Sequence, residues 1–239
     1  MQEMEEEIER CETEGERELA EDLNRKLDEA HELAEHLDRE RELERQLDLE
    51  WYIYSKSPVG TFNQQMHDIM ILLDVSVSHD TEFSLLVMLY GHSVASVESY
   101  LASFFIRQVT NSEDLIRRLV ETDPKFSKMK FTLKEIYEKQ ENLKFIVAKY
   151  LKDLIFHDLK KIKPMFKNVL ECDFGDISWL FKAVRIRHHC VHRAGLNKDG
   201  ERIDISRDSI QKIVDQSTEL VEKIEQIASP DIHPYKKVP

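Results

Sequence analysis

Cysteine, glycine and proline are all scarce in this chain of 239 residues, at three, six and six. Cys11, Cys172 and Cys190 stand far apart with no CxxC pair, which excludes a disulfide-stapled scaffold and favours a reducing compartment. So little glycine and proline also excludes collagen-like and low-complexity classes. No apolar run nears the roughly 20 residues that a membrane-spanning helix requires. The longest are short pieces such as 70–73 and 85–89. The opening Met-Gln-Glu-Met-Glu-Glu-Glu has none of the basic-then-apolar order of a secretory leader. What is present is charge, at 34%, and 41% apolar residues, the balance of a helix-rich soluble protein. The expectation is a cytoplasmic chain with no membrane contact, built as one sizeable domain with an appendage or as two small ones.

The formal charge of -13 is unevenly placed. Residues 1–50 hold 21 acids and 7 bases, a net of -14, so residues 51–239 hold the remaining 26 acids and 27 bases, a net of +1. Within that part, 125–167 holds twelve lysines against five acids, a net of +7. The acid belongs to an arm, and the body carries one basic side. A basic face suits phosphate contact, because each cation near a phosphate releases condensed counterions. A solvated helix face is the plainer reading of the same lysines.

Residues 1–50 contain one glycine and no proline, with Leu19, Leu23, Leu27, Ala30, Ala34 and Leu37 in 3–4 spacing and Leu43 and Leu47 beyond them. That pattern predicts a long, exposed, acidic amphipathic helix, a coiled coil or an arm for a protein partner. Residues 51–80 read as a connecting segment with short strands: Trp51–Tyr54 favour extended or buried structure, Pro58-Val-Gly60 breaks the helix, and 70–77 suits strand or helix. The body, 81–228, reads as an all-α bundle of five or six helices with little sheet. The expected helices are a long one from Thr81, one capped by Ser112, and one opened by a Thr132–Glu135 capping box with Ile136, Leu143, Ile146, Val147, Tyr150, Leu151 and Leu154 inside. Three more cover 158–170 with Pro164, the stretch from Asp176 to Ala194, and a last one from Ser206. In the Asp176 helix Ile177, Leu180, Phe181, Val184 and Ile186 face in. In the last helix Ile210, Ile213, Val214, Leu220, Val221, Ile224 and Ile227 do so. Ile203 and Ile205 alternate like a short strand, and 229–239 is a tail.

Chemistry concentrates at 185–195, Arg-Ile-Arg-His-His-Cys-Val-His-Arg-Ala-Gly. His188 and His192, four apart, share a helix face. Arg187, five before His192, remains within side-chain reach, and Val184 with Val191 should form the opposite, buried stripe. Arg187, His188 and His192 should therefore project together.

Arg187-His-His-Cys-Val-His192 fits the Rx4–6H signature of the HEPN superfamily, and the chain resembles its bacterial members. The flanking Arg185-Ile-Arg-His, Val191-His-Arg-x-Gly, Asn197-Lys-Asp-Gly200, the upstream Ser96-Val-Glu-Ser-Tyr-Leu101 and the Tyr150–His157 run carry the likeness, over about residues 80–228. The resemblance implies a HEPN-like helical bundle that dimerises and, in many members, cuts RNA without a metal, often as a toxin or in phage defence. It implies Arg187 as phosphate clamp, His192 as general acid or base, and His188 as the group that orients the phosphate or holds the other proton. Glu98 and Arg193 would support them, and Arg185, Lys160 and Lys161 would bind the RNA substrate. Products would be a 2′,3′-cyclic phosphate and a 5′-hydroxyl, and no cofactor is implied. A homodimer could supply acid and base from opposite subunits.

Two other readings of the cluster remain. A metal could use His188 and His192, but consecutive helical residues point about 100° apart and no second ligand cluster or HExxH exists. Cationic residues also suit a helix C-terminus for purely structural reasons. The alternative to an enzyme is then a non-catalytic bundle for dimerisation or for nucleotide or RNA binding. GxxxxGK[ST], GxGxxG and GxSxG are all absent.

Overall fold

The computed structural model describes residues 2–54, 57–128, 143–154 and 156–228, with side chains from Arg25 onward except those of Ser127 and Ala228. The expected Thr132–Glu135 capping box, Ile136, Lys130, Lys134, Lys139 and the 229–239 tail lie outside the described residues. The described residues are all-α, in eight helices: α1 (Gln2–Tyr54), α2 (Pro58–Leu73), α3 (His79–Thr110), α4 (Glu113–Thr122), α5 (Leu143–Lys152), α6 (Leu159–Leu170), α7 (Ser178–Arg193) and α8 (Arg207–Ala228). None of them is long and apolar enough to cross a membrane.

The chain divides into two compact units, Met1–Asp48 and Leu49–Pro239. In the first, every side chain described from Arg25 to Asp48 is exposed, Leu27, Leu33, Leu37, Leu43 and Leu47 included. Intrahelical pairs such as Arg39–Glu35 and Arg45–Glu42 line it. Such exposed pairs contribute a few tenths of a kcal/mol each, about 0.3–0.5.

The second unit is organised around α3, which meets α2, α4, α5, α7 and α8. A helix touched on all sides must be apolar all round, and α3 is: Leu86, Tyr90, Val94, Val97, Leu101, Phe104, Phe105 and Val109 are buried. Its buried hydroxyls do not go unpaired, because Ser93, Ser96, Ser103 and Thr110 each donate to the carbonyl four residues earlier. Phe166 of α6 completes an aromatic centre with Phe104, Phe105 and Phe174. Tyr100 reaches Glu225 on α8 at 2.8 Å.

Several local expectations are corrected. Trp51–Tyr54 continue α1, with Ile53 buried. The 51–80 segment holds no strand among the described residues; Pro58 begins α2 at its first turn, where a missing N–H costs nothing, and Ser57 caps Gly60 N at 2.9 Å. Asp176 accepts from Ser178 N, but the N-cap of α7 is Ile177. Ile203 and Ile205 form no strand; a single bridge joins Leu196 to Arg202. Leu143, Phe181 and Ile227 are more than a third exposed although their spacing placed them inside. Each sits within four residues of a described end of its helix. Ser206 does cap α8, in a reciprocal pair with Ser209.

Candidate functional site

The motif lies on the last two turns of α7, and a glycine sets where that helix stops. Ala194 adopts the left-handed conformation, Gly195 follows at φ +82°, and Gly195 N donates to the carbonyl of His189. A Cβ at Gly195 would sit 2.5 Å from Val87 Cγ2 and 2.8 Å from Phe83 Cζ. The end of α7 is therefore pressed against the start of α3, and the Arg202 guanidinium stacks over the Phe83 ring at 4.6 Å. Gly91 on α3 faces Cys190 and Val191 with room for a Cβ, which would meet them at 3.7 and 3.9 Å.

This packing decides which way the motif faces. The buried face of α7 runs through Leu180, Ala183 and Cys190. At 3.6 residues per turn Arg187 falls within that face, about 60° from Cys190 and about 140° from His192. Its side chain is 23% exposed, and Nη2 lies 3.7 Å from Glu98 Oε2 on α3. Glu98, 14% exposed, is also 3.9 Å from Nδ1 of His157. Burial raises the Glu98 carboxyl above its ordinary range, and the nearby Arg187 and His157 charges oppose that rise. Glu98 Oε1 and Arg187 Nε are buried without a hydrogen-bond partner, so the pair is close but incompletely satisfied.

The histidines take the other side. His188 and His192 are exposed with ring centroids 4.6 Å apart. Crowding removes part of the hydration of His188, and His192, Arg193, His189 and Arg187 add like charge, so its pKa is lowered from the ordinary imidazole value. Arg185, three residues before His188 and seven before His192, is exposed on the same stripe. Arg193 instead donates to Nδ1 of His189 at 3.1 Å. Val191, expected inside, is 55% exposed, and Val184 is only partly buried. The buried stripe is Leu180–Ala183–Cys190, and the expected joint projection of Arg187 with the histidines gives way to a division across the helix.

Lys160 and Lys161 lie elsewhere, on the rim of a cleft of about 460 Å³ between α4, α5 and α6, with Leu119, Lys125, Tyr150 and Pro164. Lys161 pairs with Asp158 at 3.4 Å. His157 was absent from the sequence-derived site: it is 59 residues from Glu98 in the chain, and no spacing rule connects them. Among the described residues no group of three or more His, Cys, Asp or Glu side chains could hold a metal ion. Cys190 is buried and its thiol is pushed up to about 11, so it is no ready nucleophile. No family model, curated protein or solved structure matches the chain.

Proposed function

We propose that the chain is an endoribonuclease of the HEPN type, acting without a metal and as a dimer. The observation that carries this reading is the exposed stripe Arg185–His188–His192, with two imidazole ring centroids 4.6 Å apart and an arginine on the same helical face. RNA brings its own nucleophile. One histidine takes the proton of the 2′-hydroxyl as its oxygen attacks phosphorus, and the other protonates the departing 5′-oxygen as the P–O5′ bond breaks. The products are a 2′,3′-cyclic phosphate and a 5′-hydroxyl. His188, held toward its neutral form, suits the base, and His192 suits the acid. Arg185, exposed on the histidine stripe, would hold the phosphate oxygens, while Arg187, turned inward onto Glu98, would hold α7 in place behind that stripe. Val191 and Met88, 55% and 63% exposed, give this region the apolar area that contact with a second copy would cover. Growth arrest or phage defence through RNA cleavage would be the biological setting.

A specific observation favours the non-catalytic alternative. The Arg187–Glu98 pair ties α7 to α3, which is a structural use of the motif arginine. Cleavage of a mixed RNA pool in EDTA by wild type, R185A, R187A, H188A and H192A separates the two. Cyclic-phosphate ends that vanish with H192A, at unchanged thermal stability, support the nuclease. Absence of cleavage by the full chain and by residues 49–239 alone favours a binding or dimerisation module.

A further inference from the structure

The exposed leucines of α1 and the cleft between α4, α5 and α6 complement each other in polarity and in charge. On α1, Leu27, Leu33 and Leu37 are 55%, 60% and 41% exposed. Ala30, Leu33, Ala34 and Leu37 have the i, i+3, i+4, i+7 spacing of one helix face, the kind that an amphipathic helix lays into a groove. Residues 27–38 also hold five acids, Asp28, Glu29, Glu32, Glu35 and Asp38, and no Lys or Arg. Arginines outside the segment pair with three of them, at 4.0 Å for Arg25–Glu29, 3.6 Å for Arg39–Glu35 and 3.5 Å for Arg41–Asp38. Every one of these side chains is exposed, so the pairs exchange for another cation at little cost.

The cleft, of about 460 Å³, offers the opposite surface. Its walls are largely apolar, with Leu119, Tyr150, Leu154 and Met165, and Lys125, Lys160 and Lys161 stand around them. The one acid in its lining, Asp123, is already engaged, accepting from the Tyr150 hydroxyl at 2.7 Å and from Lys125 N at 2.8 Å. Lys160 is exposed and forms no ion pair among the described residues, and Lys125 Nζ lies over the Tyr150 ring at 4.6 Å. A bare phosphate would satisfy the lysines and leave the apolar walls wet. Apolar walls beneath cations instead select a ligand that is both apolar and acidic.

We propose that two copies of the chain exchange arms, with Leu33 and Leu37 of each entering this cleft on the other and the acids of 27–38 meeting Lys125, Lys160 and Lys161. The small Ala30 and Ala34 let the helix backbone come close to the rim. The occupant is a second copy because α1 runs unbroken from Gln2 to Tyr54, with neither glycine nor proline between residues 16 and 57 to act as a hinge. Leu37 and Leu27 stand about 18 and 33 Å before Leu49 along such a helix, a reach that suits a neighbouring molecule. Reciprocal exchange uses the same two surfaces on each copy and closes as a dimer. The proposal is independent of the nuclease reading, because no residue of the Arg185–His188–His192 stripe takes part.

The test mixes full-length protein in natural and nitrogen-15-labelled forms at high salt, returns it to low salt, and joins lysines to carboxylates with a carbodiimide. Mass spectrometry should find links from residues 27–38 of one isotope to Lys160 or Lys161 of the other, fading as salt is raised. Leu33→Gln with Leu37→Gln, at exposed positions that leave folding intact, should lower their yield roughly tenfold or more. Glu32→Lys with Glu35→Lys should weaken association of the copies by sedimentation, and adding Lys160→Glu with Lys161→Glu should restore it. Links confined to one isotope overturn the role of a second copy. Links from Lys26 to another arm, with none to the cleft, mean that arms pair with each other and overturn the docking. A yield indifferent to the leucine variant, or no arm-to-cleft link at all, overturns it too. Cleavage assays on the histidine-stripe variants read the nuclease separately, so failure of one proposal leaves the other standing.

Discussion

Arg187 and Glu98 face each other across the α7–α3 contact at 3.7 Å, each mostly buried and each with one polar atom lacking a partner. Removing one member of such a pair leaves the other as an uncompensated buried charge. Arg187→Ala should therefore destabilise the bundle by about 2 kcal/mol, and should raise the Glu98 pKa further because the guanidinium opposes that rise. The double change Arg187→Met with Glu98→Leu should recover most of the loss, since an apolar pair has no charge to desolvate. Urea unfolding of the wild type and the two variants checks this; a double variant as weak as R187A would refute the desolvation account.

The His188–His192 pair makes a prediction about pH. The folded state holds the His188 pKa below that of the free side chain, so it prefers the neutral ring. Its contribution is intact above the unfolded pKa of about 6.5 and is withdrawn as pH falls through the folded one. His192→Gln removes the largest of the neighbouring charges that lower it, so the His188 titration should move up, yet stop short of the free value because crowding persists. NMR titration of the ring protons reads the shift; a curve unmoved by H192Q would mean the two rings do not interact.

Gly195 and Gly200 share nearly the same backbone, at φ +82° and +80°, but differ in what surrounds them. A methyl at Gly195 meets Val87 and Phe83, while at Gly200 nothing lies within 4 Å. Gly200→Ala should cost about 1 kcal/mol for the left-handed conformation alone. Gly195→Ala should cost about 2–4 kcal/mol, because α7 must also move off α3. Thermal unfolding compares them, and equal losses would remove the packing argument. If the nuclease reading holds, cleavage should fall more with G195A than with G200A.

The acidic arm invites a deletion, and the structure says where to cut. Leu49 and Ile53 belong to the buried core of the second unit, at 8% and 1% exposure. A chain beginning at residue 49 should fold with the stability of the whole, while one beginning at residue 51 loses Leu49 and about 2–3 kcal/mol. If the arm restrains the basic face, RNA affinity should rise in the 49–239 chain. An unchanged or lower affinity would dismiss restraint, and equal melting of the two truncations would dismiss the boundary.

Helix content and order were legible because their signals are local. Ser112 and Ser206 announce helix starts, Gly195 a stop, and the apolar spacing of 81–109 a helix too greasy to lie on a surface. The short strands expected near Trp51 and Ile203 were misread because short apolar runs suit helix, strand or loop equally, and tertiary packing chooses. The two histidines four apart were likewise readable as neighbours.

The direction of Arg187 was not. Its spacing allowed it to join the histidines or turn away, and the choice rests on which arc of α7 lies against α3. Cys190 and Ala183 are small enough to let that arc approach, and Glu98 stands opposite to receive the charge. His157 reached Glu98 by the same long-range packing. By itself the sequence determined an all-helical chain with an acidic arm and a histidine-arginine cluster at one helix end, since capping and periodicity act within a few residues. Only the tertiary structure decided which of those side chains are buried, paired or left facing solvent, because that depends on contacts between residues far apart in the chain.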